Sequence, residues 1–275
     1  MQIGDRVLDF PTVMGVLNVT PDSFSDGGRF FGRDAALRQA EALLGAGAGI
    51  LDIGGESTRP GAQPVSAAQE LERVIPLLEA LQDLSNVPLS VDTSKPEVMR
   101  SAVAAGASMI NDVRALREEG ALEAVAELGV SVCLMHMLGE PRTMQDKPVY
   151  KDVTQEVAAF LGERLECCHN AGIGADRIVL DPGFGFGKTH AHNIELLANL
   201  RQLRRLGQPL LVGLSRKATL GALTGREPAD RVAASVAAAV IAAMHGADII
   251  RAHDVAETVD ALRIVAACMN SGTSL

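Results

Sequence analysis

Short apolar runs alternate with amphipathic stretches along the whole chain of 275 residues. Eight of these runs are rich in Val, Ile and Leu and alternate little, as strands buried on both faces of a parallel sheet do. They read VMGVLN, ILDIGG, PLSVDT, MIND, SVCLMH, IVLD, LLVGLS and IIRAHD. The pattern therefore predicts eight parallel strands, each followed by a helix.

Helix-start signals lie between these runs. Ser66 and Gln69 have the spacing of a capping box, which predicts a helix that Pro76 is expected to kink or break. A serine or an aspartate three residues before a glutamate follows two of the strands, at Ser94–Glu97 and Asp254–Glu257. These positions predict helices that begin where the strands end.

Eight strand–helix units in about 250 residues match the size of a (β/α)8 barrel. No linker or break in charge divides the chain, so we predict the α/β class and a single-domain (β/α)8 TIM barrel over residues 1–275, with residues 1–12 as a short N-terminal hairpin or extension. The alternative is a doubly wound open sheet. It is disfavoured because no G-x-G-x-x-G follows the first strand.

Composition excludes several classes of partner. A formal net charge of -9 disfavours nucleic acid and anionic membrane surfaces, and an aromatic content of 3% with no Trp disfavours single-strand binding. The apolar run Val232–Met244 is too short to span a bilayer and predicts a buried helix or a subunit interface. The N-terminus lacks a signal-peptide pattern and the cysteines lack C-x-x-C spacing, so we expect a cytoplasmic protein with reduced thiols.

Every predicted strand ends in residues that can hydrogen-bond or ionise. In chain order these are Asn18; Asp52 and Glu56; Asp92; Asn111 and Asp112; His136; Asp181; Ser215, Arg216 and Lys217; Arg251, His253 and Asp254. Helix capping could explain single members, and Asp254 is the best example, but it does not explain all eight strands. Because active sites of such barrels lie at the C-terminal ends of the strands, these residues predict a site there.

The chemistry of this ring suggests the kind of ligand. Asp92, Asn111 and Asp181 supply acceptors and an amide, whereas Lys217 and Arg251 supply donors, and a guanidinium can also stack on a ring. The set suits a flat purine-like or pterin-like heterocycle. The long loop GGESTRPGAQPVS adds hydroxyls and a guanidinium at Ser57–Arg59, which suits an anion such as phosphate. An Arg59 exposed to solvent is the alternative.

The stretch LDPGFGFGKT looks like a phosphate-binding P-loop. A P-loop requires glycine at position 182, but the residue there is Pro182, which has no backbone N–H to donate. We therefore predict that Asp181 faces a ligand and that Phe184 and Phe186 form apolar walls. Lys188 is expected to be a solvated cation or one that lies behind the ligand contacts.

Seven motifs along the chain resemble those of the dihydropteroate synthases. They are MGVLNVTPDSFSDGG, DIGGESTRPGA, VDTSKPEV, INDV, DPGFGFGKT, GLSRK and RAHDV, in the family's order and within a match from about Val13 to Ala261. The resemblance implies a TIM barrel, usually a homodimer, that joins 6-hydroxymethyl-7,8-dihydropterin diphosphate to p-aminobenzoate and releases diphosphate. RKATLGALTG and Ala252 depart mildly from the family pattern without touching a polar role.

The same resemblance implies the role of each site residue. The pterin site comprises Asp92, Asn111, Asp181 and Lys217, with Arg251 stacked on the ring. The diphosphate site comprises Thr58, Arg59, Arg251 and His253, with Asn18 as the protein ligand of a bound Mg2+. The p-aminobenzoate site comprises Phe186, Ser215 and the two long loops after the first and second strands. The residues expected to act in catalysis are Arg59, Asp92, Asp181, Lys217, Arg251 and His253.

Three other functions stay open at this point. A pterin- or folate-binding methyltransferase barrel would share the ring pocket but would have no use for Ser57–Arg59. A Schiff-base aldolase could use Lys217. A non-catalytic pterin-binding paralogue could keep the pocket without turnover.

Overall fold

Eight parallel strands surrounded by helices form one barrel in the computed structural model, which describes residues 2–9, 11–19, 28–57, 65–140 and 143–271. An antiparallel hairpin of β1 (Gln2–Ile3) and β2 (Arg6–Val7) precedes it. The barrel strands are β3 (Thr12–Asn18), β4 (Ile50–Gly54), β5 (Leu89–Asp92), β6 (Met109–Asp112), β7 (Ser131–Met135), β8 (Ile178–Asp181), β9 (Leu211–Val212) and β10 (Ile249–Ala252). Each coincides with one of the apolar runs that predicted it, and β3 begins one residue earlier, at Thr12.

The strand order closes the sheet on itself. Neighbours follow the order β8-β7-β6-β5-β4-β3-β10-β9, and every pair is parallel. The two ends of that order meet through a parallel bridge between Leu180 and Leu210, beside a 2.9 Å bond from Leu180 N to Pro209 O. The TIM barrel prediction is therefore confirmed, and the open-sheet alternative is wrong.

Helices follow the strands around the outside. They are α1 (Gly28–Gly45), α2 (Ala67–Gln82), α3 (Pro96–Ala104), α4 (Ala121–Leu128), α5 (Val153–Asn170), α6 (His190–Ala198), α7 (Ala218–Thr224), α8 (Val232–Met244) and α9 (Val255–Ser271), with 3-10 turns at Ala175–Arg177, Leu200–Leu206 and Pro228–Asp230. Among the described residues, no helix is long and apolar enough to cross a membrane.

Three helix predictions have different outcomes. The capping box of Ser66 and Gln69 is present at the start of α2. A break at Pro76 is wrong, because α2 runs through that residue without interruption, whereas the alternative of a kink there stays a prediction. The Ser94 cap is also wrong: α3 begins after Lys95, and the Ser94 hydroxyl donates to Asp112 instead.

Side chains inside the barrel form two layers of opposite character. The lower layer, or floor, is apolar and consists of Met14, Ile50, Met109, Cys133, Val179, Leu211 and Ile249, closed from below by Ile3 of the N-terminal hairpin. Residues of the opposite parity, such as Leu51, Ile110 and Leu180, belong to the larger cluster shared with the helices. Burial on both faces explains why the strands read as continuous apolar runs.

Candidate active site at the mouth of the barrel

Polar side chains form the layer above the apolar floor. Because strand side chains alternate between faces, a residue two positions after a floor residue also points into the barrel. This rule places Asp52, Asn111, Asp181 and Arg251 above Ile50, Met109, Val179 and Ile249. Asp92 ends β5 in register with Asn111 of the neighbouring strand.

Arg251 lies between two aspartates of this layer, and we call these three residues the mouth cluster. Arg251 Nε donates to Asp52 Oδ2 at 2.6 Å, and a terminal nitrogen donates to Asp92 Oδ2 at 3.2 Å. Asn111 Nδ2 adds a 3.1 Å bond to Asp52 Oδ2. The other oxygen, Asp52 Oδ1, is buried without a hydrogen-bond partner among the described residues.

Burial sets the charge states of the mouth cluster. It raises the pKa of Asp92 from 3.8 to about 7, while nearby Arg251 acts in the opposite direction. Burial also disfavours the charged form of Arg251, but Asp52 and Asp92 outweigh it and raise the pKa of the guanidinium. Asp92 therefore lies near the midpoint of its titration at neutral pH, and Arg251 stays charged.

Asp181 and Lys217 form another part of the mouth. Asp181 Oδ1 accepts from Gly183 N at 2.7 Å, and burial raises the pKa of its carboxyl although Lys217 lies close enough to lower it. Burial lowers the pKa of Lys217 to about 8, against the pull of Asp181. Lys217 Nζ donates to Phe184 O and lies 4.9 Å from the centre of the Phe186 ring.

The remaining predicted residues occupy the edge of the mouth. Ser215 Oγ accepts from His253 N at 3.1 Å and lies 3.1 Å from His253 Nδ1. Asn18 ends β3 in register with Gly54, and its Oδ1 lies 3.4 Å from where a side chain on that glycine would begin. Thr58 and Arg59 lie outside the described residues, as do the central parts of both long loops, at 20–27 and 58–64.

Several strand-end residues have structural partners instead. Asp112 accepts from the backbone nitrogens of Arg114 and Leu116 at 2.8 and 2.7 Å, and its strand parity turns it away from the mouth. Asp254 precedes α9 and receives two bonds from the Arg216 guanidinium. These two carboxylates therefore stabilise turns and helix starts rather than the candidate site.

Lys188 corrects the sequence interpretation. A solvated cation was one of the two expectations, but the side chain is buried, and the residue is only 2% exposed. Lys188 Nζ lies 2.8 Å from His136 Nδ1, 2.8 Å from Gly183 O and 3.1 Å from Phe186 O. It lies behind the loop that carries the two phenylalanines.

A second cation between two carboxylates lies at the edge of the barrel, and we call it the rim cluster. Lys95, which precedes α3, binds Glu56 after β4 and Glu70 of α2, the latter at 2.6 Å. Glu56 Oε1 also accepts from Val65 N at 3.1 Å, so one side chain joins both ends of the segment that contains Arg59. Glu70 is fully buried, and its Oε1 is unpartnered in the part of the chain described.

Asp52 is a mouth residue whose role the strand-end pattern does not indicate. The sequence places it at the end of a strand, but neither the ligand chemistry nor the family resemblance assigns it to the candidate site. The signal that could have identified it is parity, because Asp52 stands two residues after buried Ile50, as Asp181 does after Val179.

An apolar floor below a polar mouth at the C-terminal ends of the strands is the arrangement of a TIM-barrel enzyme. A family model described as pterin binding enzyme matches residues 14–253. The chain is 54% identical over 264 residues to the dihydropteroate synthase of Escherichia coli (strain K12), covering 96% of this chain and 94% of that one. It belongs to the dihydropteroate synthase family.

Solved structures give the same result. The Xanthomonas albilineans dihydropteroate synthase with 4-aminobenzoic acid superposes with a TM-score of 0.92 at 56% identity, covering 97% of both chains. The same enzyme in complex with 7,8-dihydropteroate superposes with a TM-score of 0.87 at 53% identity, covering 96% of this chain and 95% of that one. The family resemblance noted in the sequence is confirmed.

Proposed function

We propose that this chain condenses 6-hydroxymethyl-7,8-dihydropterin diphosphate with p-aminobenzoate to give 7,8-dihydropteroate and diphosphate. The observation that carries the proposal is the polar layer of the mouth, where four buried residues with acceptor oxygens lie together with two cations above an apolar floor. Full-length similarity to dihydropteroate synthases, including one solved with 4-aminobenzoic acid and with 7,8-dihydropteroate, supports the same reaction.

The pterin ring would bind in the mouth. Its N–H groups would donate to Asp92, Asn111 and Asp181, and the ring would take over the bond that Arg251 now makes to Asp92. Asp52 would retain Arg251 through the shorter Nε bond, so the guanidinium could stay beside the ring and stack on it. We therefore add Asp52 to the proposed site as the residue that orients Arg251.

The reaction needs little proton chemistry. The arylamine nitrogen forms a bond to the pterin methylene carbon, the bond from that carbon to the diphosphate oxygen breaks, diphosphate leaves with the electron pair, and the nitrogen releases one proton to water. Arg59, Arg251 and His253 would stabilise the charge that collects on the leaving group. Asp92 and Asp181 would stabilise the positive charge shared by the ring. His253 thus acts as a donor to diphosphate rather than as a base.

The residues present fit a Mg2+ that arrives with the substrate. Asn18 supplies one hard oxygen at the end of β3, and no group of three or more His, Cys, Asp or Glu suited to a metal occurs among the described residues. Mg2+ characteristically takes one or two protein oxygens together with phosphate oxygens and water. Bound there, it would neutralise charge on the departing diphosphate.

The p-aminobenzoate site would lie beside Phe186, Lys217 and Ser215. Phe186 is half-buried against a cluster of Val113, Met135, Met137 and Met144, and Lys217 lies over its ring. The side chain therefore offers an apolar edge next to a cation, which suits an aromatic carboxylate.

We further propose a homodimer that works in the cytoplasm. Ile241 and Met244 of α8 and Ile264 and Met269 of α9 are exposed, and the two helices pack on each other. This surface is apolar enough for a second copy of the chain to cover it. Sedimentation would measure the oligomer, and a charged residue at Ile241 should favour the monomer.

The direct test measures diphosphate release with both substrates and Mg2+. We expect release only when p-aminobenzoate is present, together with stoichiometric 7,8-dihydropteroate. Methyl transfer to a corrinoid, an adduct of Lys217 trapped by borohydride, or pterin binding without turnover would each contradict the proposal and identify one of the alternative functions. A chelator should abolish release, and excess Mg2+ should restore it.

A further inference from the structure

Side chains bind every carbonyl in the middle of the loop after β8; three of these bonds come from other parts of the fold and two from Lys188 near the loop's own end. Five consecutive carbonyls accept such a bond: Gly183 O and Phe186 O from Lys188, Phe184 O from Lys217, Gly185 O from Gln145, and Gly187 O from Tyr150. In the P-loop that this stretch resembles, the backbone N–H groups bind the ligand. Here side chains hold the loop backbone in place, so the loop can contact a ligand through its own side chains.

The loop requires this side-chain support because its backbone conformation is unusual. Gly183 and Gly187 have φ angles of 68° and 61°, which other residues rarely adopt. A side chain on Gly183 would begin 1.8 Å from His136 O, so this part of the loop runs directly against the end of β7. A segment rich in glycine is otherwise costly to order.

Lys188 is the central support, and its nitrogen has a matching set of partners. An ammonium offers three donors, and three acceptors surround Nζ: His136 Nδ1, Gly183 O and Phe186 O. Burial lowers the pKa of Lys188 well below its usual value. A neutral amine would keep both carbonyl bonds and accept the proton of Nδ1 instead, so the pair holds the loop in either state.

His136 completes the support from β7. Burial lowers the pKa of its imidazole to about 2, and Lys188 adds to that effect, so the ring is neutral throughout the functional pH range. The ring contacts Phe160 of α5 nearly at a right angle, with the ring centres 4.9 Å apart. A neutral ring fixed in this way offers Lys188 one nitrogen in a constant position.

We propose that Lys188, held by His136, is the positioning residue for p-aminobenzoate. It fixes the backbone at Gly183 and at Phe186, one on each side of Phe184, and so sets the spacing between the Phe186 ring and the Lys217 ammonium. This inference rests on the proposed function, in which those two side chains border the arylamine. A displacement of about 1 Å in such a wall can cost on the order of a hundredfold in rate.

The test compares the two substrates in Lys188→Met, which keeps the length of the side chain and removes its hydrogen bonds. We expect the KM for p-aminobenzoate to rise on the order of tenfold, while the Kd of the pterin diphosphate, measured by calorimetry without p-aminobenzoate, changes less than about twofold. Lys147→Met removes an exposed lysine nearby and should leave both values unchanged. Equal losses for both substrates, or an unchanged KM, would overturn the proposal.

His136 variants provide a second route should Lys188→Met fail to fold. His136→Leu removes the acceptor and should raise the same KM, whereas His136→Asn retains an acceptor and should recover part of it. The double variant Lys188→Met with His136→Leu should have the same KM for p-aminobenzoate as Lys188→Met alone. Additive increases in that KM would contradict the pairing of the two residues. Wild-type turnover is measured alongside, so that its absence would refute the proposed function rather than this inference.

Discussion

Two cations of this barrel each lie between two carboxylates, yet the two sites differ in what surrounds them. The mouth cluster is Arg251 with Asp52 and Asp92, and the rim cluster is Lys95 with Glu56 and Glu70. Each contains one fully buried carboxylate with an oxygen that has no partner among the described residues. A buried ion pair is weak evidence for stability, so each needs another explanation.

The two clusters differ in what their less buried carboxylate contacts besides the cation. At the rim, Glu56 also accepts from Val65 N, so the cluster closes on the protein's own backbone. At the mouth, Asp92 borders the candidate pterin site, and burial keeps its pKa near 7. Burial disfavours the charged form of Lys95, but hydrogen bonds to Glu56 and Glu70 outweigh it and raise the pKa of Lys95, so this lysine stays charged. A cation between two carboxylates thus borders the candidate pterin site at the mouth, whereas the same arrangement at the rim holds a loop.

Replacing the mouth cation should have the largest effect. Arg251→Leu leaves Asp52 and Asp92 buried without their cation, and we expect unfolding free energy to fall by about 3–5 kcal/mol and kcat/KM by about a thousandfold. Denaturant titration and steady-state kinetics measure the two. Arg204→Leu, which removes a cation paired with Asp248 at the other end of the barrel, should leave kcat/KM almost unchanged.

Replacing the rim cation should destabilise the protein to a similar degree but reduce activity much less. Lys95→Met leaves Glu70 buried and unpaired, which costs about 3 kcal/mol, whereas we expect kcat/KM to fall only about tenfold because no substrate contact is lost. Equal loss of activity in the Lys95 and Arg251 variants would mean that the two clusters do not differ as described.

Neutralising the buried carboxylate sharpens the same contrast. Adding Glu70→Gln to Lys95→Met removes the unpaired charge and should restore about 2 kcal/mol of stability together with most of the activity. Adding Asp52→Asn to Arg251→Leu should restore stability without activity. Recovery of kcat/KM in the mouth double variant would show that Arg251 acts only through stability.

The pH dependence of stability should also separate the clusters. Between pH 3.8 and about 7, folded Asp92 keeps a proton that the unfolded chain has lost, so its contribution falls as pH rises, by at most about 1.4 kcal/mol per pH unit. His136, whose pKa is lowered to about 2, acts in the opposite direction below pH 6.5. The contribution of Asp92 is isolated by comparing how the unfolding free energy changes with pH in Asp92→Asn and in the wild type. The slope of the variant minus the slope of the wild type should be positive between pH 3.8 and about 7. A zero difference would mean that Asp92 is ionised throughout.

An exposed ion pair should give the smallest effect. Arg100 of α3 pairs with Glu127 of α4, and both side chains are largely exposed. Arg100→Ala should change unfolding free energy by less than about 1 kcal/mol and leave kcat/KM unchanged. A larger change would show that burial is not what separates the two clusters from an exposed ion pair.

Much of the fold and part of the site could be predicted from local patterns. Val232–Met244 is one helix with the predicted bounds, and Ile178–Asp181 is the predicted strand with Asp181 at its tip. The pattern failed where two partners competed for one group. Ser94 had the spacing of a helix cap, but its hydroxyl binds Asp112, which is distant in sequence. Lys188 follows three glycines, as an exposed lysine could, and only the packing of the loop against β7 buries it.

By itself, the sequence determined the barrel and the family, because eight apolar runs at regular spacing and seven ordered motifs are local properties of the chain. It also determined which residues reach the mouth, since strand parity follows from position alone. Only the tertiary structure decided which side chains bind each other. Arg251 and Asp52 are 199 positions apart and meet because the sheet closes, and the same closure sets the burial that moves the Asp92 pKa toward neutrality. Hydrogen-bond partners and desolvation depend on that closed geometry.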